Sequence, residues 1–184
     1  MQKIANIVNT NSIHTQNNRL HIDSSCYLAL QHNASVDSLG ETLTMMAWIY
    51  PETASNGLTD IFSKGDNHVL QLPGDNKLTF FAGGWGRGDC TVNLPGNWLH
   101  NWHHIAGVCT GDTLFVYIDG VLQGTSVVDG HPNLTVQSQW QIGRNEEFPN
   151  QRIFTGYVDK AKVFGTALSA NDIKKIVGEE KAAF

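Results

Sequence analysis

One tryptophan of this chain lies in a run of glycines, with a cation and a carboxylate close by in sequence. It is Trp85, in the segment 81–89, and Arg87 and Asp89 follow it. An aromatic ring can stack on the apolar C–H face of a sugar, while guanidinium and carboxylate groups hydrogen-bond the hydroxyls at its edge. The segment therefore favours carbohydrate binding. In the alternative interpretation, the indole folds back and plugs the end of the fold.

Four further side chains are candidates for the same chemistry. Trp98 lies in the segment 97–101, between asparagines and a histidine, although the simpler interpretation packs it beneath the loop that leads to Trp102. Three hydrogen-bonding residues could line one sheet face or rim, although each is also a common type of surface residue. The predicted ligand-binding set is Trp85, Arg87, Asp89, Trp98, His68, Gln71 and Arg144.

The titratable residues do not form a catalytic or metal-binding cluster in the sequence. Retaining glycoside hydrolysis needs two carboxylates about 5 Å apart, which on one strand means a spacing of two residues. Glu146 and Glu147 are adjacent, so on a strand they would point to opposite faces, and we interpret them as solvated loop charges. His103 and His104 are likewise on opposite faces, and we expect one to be a core histidine with satisfied hydrogen bonds. The sequence predicts no catalytic residues.

Composition excludes several classes of partner. The 184 residues carry a net charge of −5 and no run of Lys or Arg, which argues against nucleic acid and against an anionic membrane surface. No apolar run is long enough for a membrane helix, and residues 1–18 lack the hydrophobic core of a signal peptide. The 3 cysteines are an odd number, so we expect buried thiols rather than a disulfide framework.

The elements that must position these side chains are short strands. Residues 114–118 alternate β-forming side chains and end at Asp119-Gly120, which predicts a β-hairpin. Further candidates recur at short spacing, separated by turn signals that are rich in Gly, Asn and Asp, and this pattern is typical of a sandwich or barrel. The predicted strands are 20–22, 27–30, 42–50, 60–63, 68–72, 77–81, 103–109, 114–118, 139–142 and 157–164.

One helix is expected near the end of the chain. Ser169 can cap it, Asp172 lies three residues later, and Ile173, Ile176 and Val177 follow at helical spacing. The segment before residue 20 is rich in Asn, Thr, Ser and Gln. We therefore predict an arm or linker over residues 1–19, one all-β domain over 20–178 and a tail over 179–184.

The order of several short motifs resembles a known family. The hairpin region 102–120 begins with Trp-His-His and ends with Tyr-Ile-Asp-Gly, and four more pieces follow the order expected of that family: 43–51 (LTMMAWIYP), 61–65 (IFSKG), 140–143 (WQIG), and 156–159 (GYVD) leading to 167–173. Together they resemble the laminin G-like branch of the concanavalin A-like lectin/glucanase superfamily. The resemblance covers roughly residues 27–177. It implies a jelly-roll β-sandwich of two antiparallel sheets with one short C-terminal helix.

The same resemblance implies a function. The expected protein is a non-catalytic, lectin-like module that binds an oligo- or polysaccharide and that is part of, or a partner to, an extracellular or cell-surface protein. The alternatives are a protein-interaction or adhesion domain and, third, a glycoside hydrolase or polysaccharide lyase. Domains of this family often carry one structural Ca²⁺, an ion that prefers oxygen ligands. Asp159 and Asp66 are the residues at which we expect it, although both are also ordinary residues for a strand end or a turn.

Overall fold

The computed structural model describes residues 3–6, 15–16, 19–32, 37, 39, 41–130 and 136–181. Its strands form two antiparallel sheets, and the central strands are buried along most of their length because both of their faces are covered. The larger sheet has 8 strands in these ranges, and β1 (Lys3–Asn6) pairs with β14 (Gly156–Phe164) beside the main path. Its order is β12 (Val121–Val127), β11 (Thr113–Ile118), β10 (His103–Thr110), β5 (Thr42–Pro51), β14 (Gly156–Phe164), β3 (Arg19–Ile22) and β2 (Thr15–Gln16).

The smaller sheet has 6 strands in the described ranges and faces the larger one. β9 (Cys90–Asn93) at one end of this sheet and β12 at one end of the larger sheet are edge strands. The order in the smaller sheet is β4 (Leu28–Leu30), β13 (Trp140–Ile142), β6 (Thr59–Lys64), β7 (His68–Leu72), β8 (Lys77–Ala82) and β9 (Cys90–Asn93).

The main core lies between the two sheets and is closely packed. Gly107 in β10 shows how closely, because a Cβ atom at this position would lie 2.4 Å from the ring of Phe80 in β8. A second apolar cluster lies on the outer face of the larger sheet, where Ile173 and Val177 of α1 (Ala170–Lys181) pack against Met46 and Trp48. The larger sheet is therefore covered on both faces over this region.

The predicted fold class is confirmed, and each of the ten predicted strands overlaps a strand of the structure. The helix is confirmed as well, and Ser169 Oγ donates a hydrogen bond to Asp172 Oδ2 at 2.7 Å while accepting one from the backbone N–H of Asp172. Two strands were not expected in the N-terminal segment: β1 and β2 pair along the larger sheet through backbone groups, which needs no apolar periodicity. The helix also continues past residue 178 to Lys181.

All three cysteines lie in the part of the chain that the structure describes. They are buried and form no disulfide, as expected. Among the described residues, no helix is both long enough and apolar enough to cross a membrane.

Candidate functional site

The segment around Trp85 forms a tight turn between β8 and β9. Residues Trp85–Arg87 make one 3-10 turn. Gly83, Gly84 and Gly88 have φ angles of 87°, 103° and 103°, which residues with a Cβ atom rarely adopt. The glycines are therefore required by the backbone path that projects the tryptophan outward.

The indole of Trp85 is 56% exposed, the largest exposure among the aromatic residues that the structure describes as exposed. Its edge rests on the ring of Phe81, with centroids 5.3 Å apart and planes at 81°. The alternative in which the ring plugs the end of the sandwich is therefore wrong. What remains is an exposed, supported ring of the kind that can stack on a sugar.

Arg87 has a different role from the one predicted. Its Nε, Nη1 and Nη2 atoms donate hydrogen bonds of 2.5–2.9 Å to four backbone carbonyl oxygens, those of Ala82, Gly111, Asp129 and Gly130. Four of the five N–H donors of the guanidinium are thus already used. Arg87 positions the turn by joining three loops at one rim, and its capacity to bind sugar hydroxyls is small.

His68 also supports the turn from within. It is fully buried in β7, stacks on Trp140 at 6.0 Å, and its Nδ1 accepts a hydrogen bond from the backbone N–H of Gly83 at 3.1 Å. Burial, together with the nearby positive charges of Lys64 and Arg87, lowers the pKa of His68 to about 3. The imidazole is therefore neutral and cannot reach a ligand at the surface, contrary to the sequence-based expectation.

Three other predicted ligand-binding residues are not brought to Trp85. Gln71 is 2% exposed in the middle of the smaller sheet. Trp98 is 6% exposed and stacks on His103, with centroids 5.0 Å apart. Arg144 places its guanidinium 4.4 Å from the centre of the Tyr27 ring, beside β4, whereas Trp85 adjoins β9 at the opposite edge of the sheet. Asp89 lies between the Trp85 turn and β9, and its Oδ2 accepts a hydrogen bond from Thr91 at 2.8 Å.

The two candidate calcium ligands are carried by different sheets of the fold. Asp159 lies in β14 of the larger sheet, and its Oδ1 accepts the backbone N–H of Lys160. Asp66 lies in the turn between β6 and β7, where Arg152 Nη1 donates to its Oδ1 at 2.7 Å. The described residues contain no group of three or more His, Cys, Asp or Glu that could hold a metal ion. Around Asp66 the Arg152 guanidinium already supplies the positive charge, so the Asp66 side chain does not fit a calcium site.

A buried carboxyl group lies next to that ion pair. Asp60 is 0% exposed, accepts a hydrogen bond from Asn145 Nδ2 at 2.8 Å and lies 3.8 Å from Arg152 Nη1. Burial raises the pKa of Asp60 to about 6 against the opposing effects of Asn145 and Arg152. A raised pKa can indicate a general acid, but a side chain without solvent contact cannot protonate a polysaccharide. The cluster instead holds the 143–154 loop against β6, where the backbone N–H of Asp60 donates to Arg152 O.

Glu146 and Glu147 also hold loops in place. Glu146 Oε2 accepts the backbone N–H of Gln139 at 2.5 Å, and Glu147 Oε1 accepts Ser138 Oγ at 2.9 Å and the backbone N–H of Asp66 at 3.1 Å. Both are exposed. Their interpretation as loop charges agrees with this geometry.

A cavity of about 540 Å³ lies along the two edge strands β9 and β12, and it was not predicted from the sequence. The one signal in the sequence was the alternation of apolar and polar residue types along Cys90–Asn93, which is only 4 residues long. The cavity is lined by Lys77, Asp89, Cys90, Thr91, Val92, Asn93, Gln123, Gly124, Thr125 and Ser126.

Comparison with known proteins identifies the same fold. A family model described as the concanavalin A-like lectin/glucanases superfamily matches residues 23–174. Among curated proteins, none matches the sequence. A candidate carbohydrate-binding protein from Bacteroides ovatus is similar in structure, with a TM-score of 0.65, 18% identity and coverage of 81% of this chain and 44% of its own.

Two further solved structures show the same likeness. One is domain 4 of AbnA, an extracellular GH43 arabinanase from Geobacillus stearothermophilus, in complex with arabinotriose; it has a TM-score of 0.65, 17% identity and coverage of 95% and 84%. The other is the binding domain of Botulinum neurotoxin DC in complex with rat synaptotagmin II, with a TM-score of 0.62, 13% identity and coverage of 83% and 39%. The chain thus spans less than half the length of the first and third of these structures.

Proposed function

The chain belongs to the concanavalin A-like lectin/glucanases superfamily, and from this premise we propose that it is a carbohydrate-binding module without catalytic activity. The observation that carries the proposal is the exposed indole of Trp85 on a turn that other residues hold in place. In the free protein the exposed ring leaves apolar surface in contact with water, which is unfavourable. A sugar stacked on the ring would cover that surface.

The turn is prepared for binding before a ligand arrives. Arg87 fixes four carbonyl groups around it, Phe81 supports the ring, and Gly83 is bonded to a buried histidine. Little conformational entropy is therefore lost when a sugar stacks on Trp85. Affinity stays modest nevertheless, because one aromatic contact in a wet site contributes only part of a binding free energy.

The structural neighbours support the class of ligand. One neighbour is described as a candidate carbohydrate-binding protein, and another holds arabinotriose as one domain of an extracellular arabinanase. By analogy, this chain would act as part of, or beside, an extracellular protein that acts on polysaccharides. Its own role would be to keep that protein on its substrate.

The absence of catalysis is part of the proposal. Asp60, whose pKa burial raises to about 6, lies beneath the 143–154 loop without contact with solvent. Glu146 and Glu147 are engaged in loop hydrogen bonds. A reducing-sugar assay on the polysaccharides that bind should therefore show no turnover. Turnover that is lost in Glu146→Gln or Asp60→Asn would overturn this part.

The experiment that tests binding is a glycan and polysaccharide array, probed with the wild type, Trp85→Ala and Val121→Ala. Val121 is a matched control because it is 60% exposed and lies at the other end of β12 from the Trp85 turn. We expect signals for the wild type and the control and none for Trp85→Ala. A blank array with folded wild type, or equal signals for all three proteins, would contradict the proposal.

A protein-binding domain is the second candidate function. Its support is the apolar exposure of β12, where Val127 is 80%, Val121 60% and Leu122 45% exposed, and one structural neighbour binds a protein. Single exposed apolar residues are common, so this observation is weaker than a contiguous patch. A partner captured by the wild type but lost in Leu122→Ser, and not displaced by soluble sugars, would favour this function.

A further inference from the structure

The cavity along β9 and β12 is an open groove between the edges of the two sheets. β12 approaches β9 so closely that a Cβ atom at Gly124 would lie 2.7 Å from Val92. The register of β12 against β11 shifts between Val116 and Tyr117, which inserts Gln123 as an extra residue. A bulge at this place bends the edge strand. The groove of about 540 Å³ lies along this bend.

The walls of the groove suit hydroxyl groups rather than apolar ligands. Consecutive residues of β9 line it, with Thr91 and Asn93 exposed. From β12 come the amide of Gln123 and the hydroxyls of Thr125 and Ser126. These side chains both donate and accept hydrogen bonds, as sugar hydroxyls do.

The charges in the groove balance. Lys77 and Asp89 are its two charged lining residues among those the structure describes, and they lie at opposite ends of β9. Asp89 Oδ2 also accepts a hydrogen bond from Thr91 Oγ1, which keeps it tied to the wall. A strongly charged oligosaccharide would therefore gain little binding free energy from the charges of the groove. A neutral oligosaccharide would lose none.

The groove begins at the turn that carries Trp85. Asp89 is four residues from Trp85, a span of at most about 14 Å. Gly88 lies against Val128 at the end of β12, and the backbone N–H of Asp129 donates to Arg87 O at 3.0 Å. At its other end the groove reaches Lys77, which also lines a second cavity of about 300 Å³ beside Trp98. A single sugar on Trp85 could not occupy this length.

We propose that the β9–β12 groove is an extended subsite for a linear, uncharged oligosaccharide, a trisaccharide or longer, one end of which stacks on Trp85. This inference rests on the proposed carbohydrate-binding function. The ring fixes one sugar unit, and Asn93, Gln123 and Thr125 hydrogen-bond the units that follow. Chain length therefore adds to affinity, because each further sugar finds polar partners already in place.

The test uses calorimetric titration with the mono-, tri- and pentasaccharides of arabinan, xylan and cellulose, with oligogalacturonate as a charged probe. We expect at least one neutral series to bind, with the pentasaccharide about ten times tighter than the monosaccharide, the gain expected from one or two additional hydrogen bonds. The double variant Asn93→Ala/Gln123→Ala should lose that gain and leave monosaccharide binding unchanged. Asn150→Ala/Gln151→Ala removes the same two side-chain types from an exposed loop elsewhere and should behave as the wild type.

The outcomes separate the two proposals. If Trp85→Ala abolishes binding but mono- and pentasaccharides bind equally well, or if the groove variant binds like its control, the groove proposal is overturned and the sugar-binding function stands. Tighter binding of oligogalacturonate than of every neutral series would overturn the uncharged ligand. If none of the sugars binds folded wild type, both proposals fall. Circular dichroism spectra of all variants verify folding.

Discussion

The Nδ1 atom of His103 lies 2.8 Å from Oδ2 of Asp119, so that the turn of the β11–β12 hairpin is tied to the first residue of β10. Asp119 Oδ1 accepts the backbone N–H of His104 at 2.9 Å. On the other side of the ring, His103 Nε2 lies 3.1 Å from the carbonyl oxygen of Asn97. Both ring nitrogens thus face acceptors, which favours the doubly protonated imidazolium.

The first prediction concerns the protonation of His103. Burial lowers its pKa, but the hydrogen bonds to Asp119 and Asn97 outweigh burial, and the net pKa is raised. Asp119→Asn keeps an acceptor for His104 and removes the charge, so burial should then dominate and the His103 pKa should fall. The measurement is an NMR titration of the histidine ring signals. An unchanged His103 pKa in the variant would show that Asp119 does not hold the proton.

This ion pair also sets a pH window for stability. Since the folded pKa of His103 is raised, its contribution to the free energy of unfolding is complete below its unfolded pKa and is lost as pH rises through the folded value. The pKa of Asp119 is lowered in the fold, where hydrogen bonds from His103 and His104 outweigh burial, so its contribution disappears as pH falls through the folded value. The pair therefore stabilises the hairpin most in the mildly acidic range between the unfolded pKa values of Asp119 and His103, about 4 and about 6.5.

The second prediction concerns the stacking residue. Trp85→Ala should weaken sugar binding by about 30-fold or more, since truncating a central tryptophan contact commonly costs about 2 kcal/mol. Its effect on unfolding should be near 1 kcal/mol, because the ring is 56% exposed and packs mainly on Phe81. Calorimetry and denaturant unfolding measure the two effects. A variant that unfolds readily would make Trp85 a structural residue.

The third prediction separates positioning from ligand contact at Arg87. Arg87→Lys cannot reach four carbonyls at once, because one ammonium group replaces a planar fork of donors. The variant should lose about 3 kcal/mol of unfolding free energy and should bind sugar more weakly through the loosened turn. Arg144→Lys is the matched control, because Arg144 lies over Tyr27 at the opposite edge of the sheet. Full stability with weakened binding would instead make Arg87 a ligand residue.

The fourth prediction uses the raised pKa of Asp60. Because burial raises it to about 6, Asp60 binds its proton more tightly when folded, and stability from this group is largest below about pH 4 and is lost as pH rises through 6. Asp60→Asn does not titrate. The difference in unfolding free energy between variant and wild type should therefore shift in favour of the variant by up to about 3 kcal/mol from pH 4 to pH 8. Urea unfolding at both pH values measures it, and a constant difference would contradict the prediction.

The fifth prediction concerns calcium. Since Arg152 pairs with Asp66 and the described Asp159 lies on the other sheet, we expect neither residue to hold the ion. The thermal unfolding midpoint and the array signals should be the same with calcium and with chelator. A lower unfolding midpoint with chelator would show that the fold binds a structural calcium ion. Asp66→Asn and Asp159→Asn would then tell which predicted ligand binds it.

Much of the fold followed from local patterns in the sequence. The hairpin turn, the capped helix and the ten strands all carry their own side-chain signal. β9 was not predicted because it has four residues, which are too few for a clear alternation of apolar and polar types. β12 was implied only by the hairpin turn, since its residues are exposed or half-exposed along the whole strand. The groove lies between these two strands and was missed for the same reason.

The site was predictable only in part. The glycines around Trp85 indicated an exposed ring, and the ring is exposed. Arg87 was misinterpreted because its partners are backbone carbonyls from loops distant in sequence, and carbonyls leave no trace in residue types. His68 was misinterpreted because a polar residue can be buried when a backbone N–H, here that of Gly83, uses its lone pair.

The buried cysteines have a practical consequence for redox chemistry. Burial, with the nearby Asp89 charge, raises the pKa of Cys90 to about 11, so that its reactive thiolate is scarce at neutral pH. Cys26 and Cys109 are also buried. The fold needs no oxidant to form and offers little to peroxide or alkylating agents once formed. The domain can thus be made in a reducing cytosol, attached to other proteins and used in air without protecting its sulfur atoms.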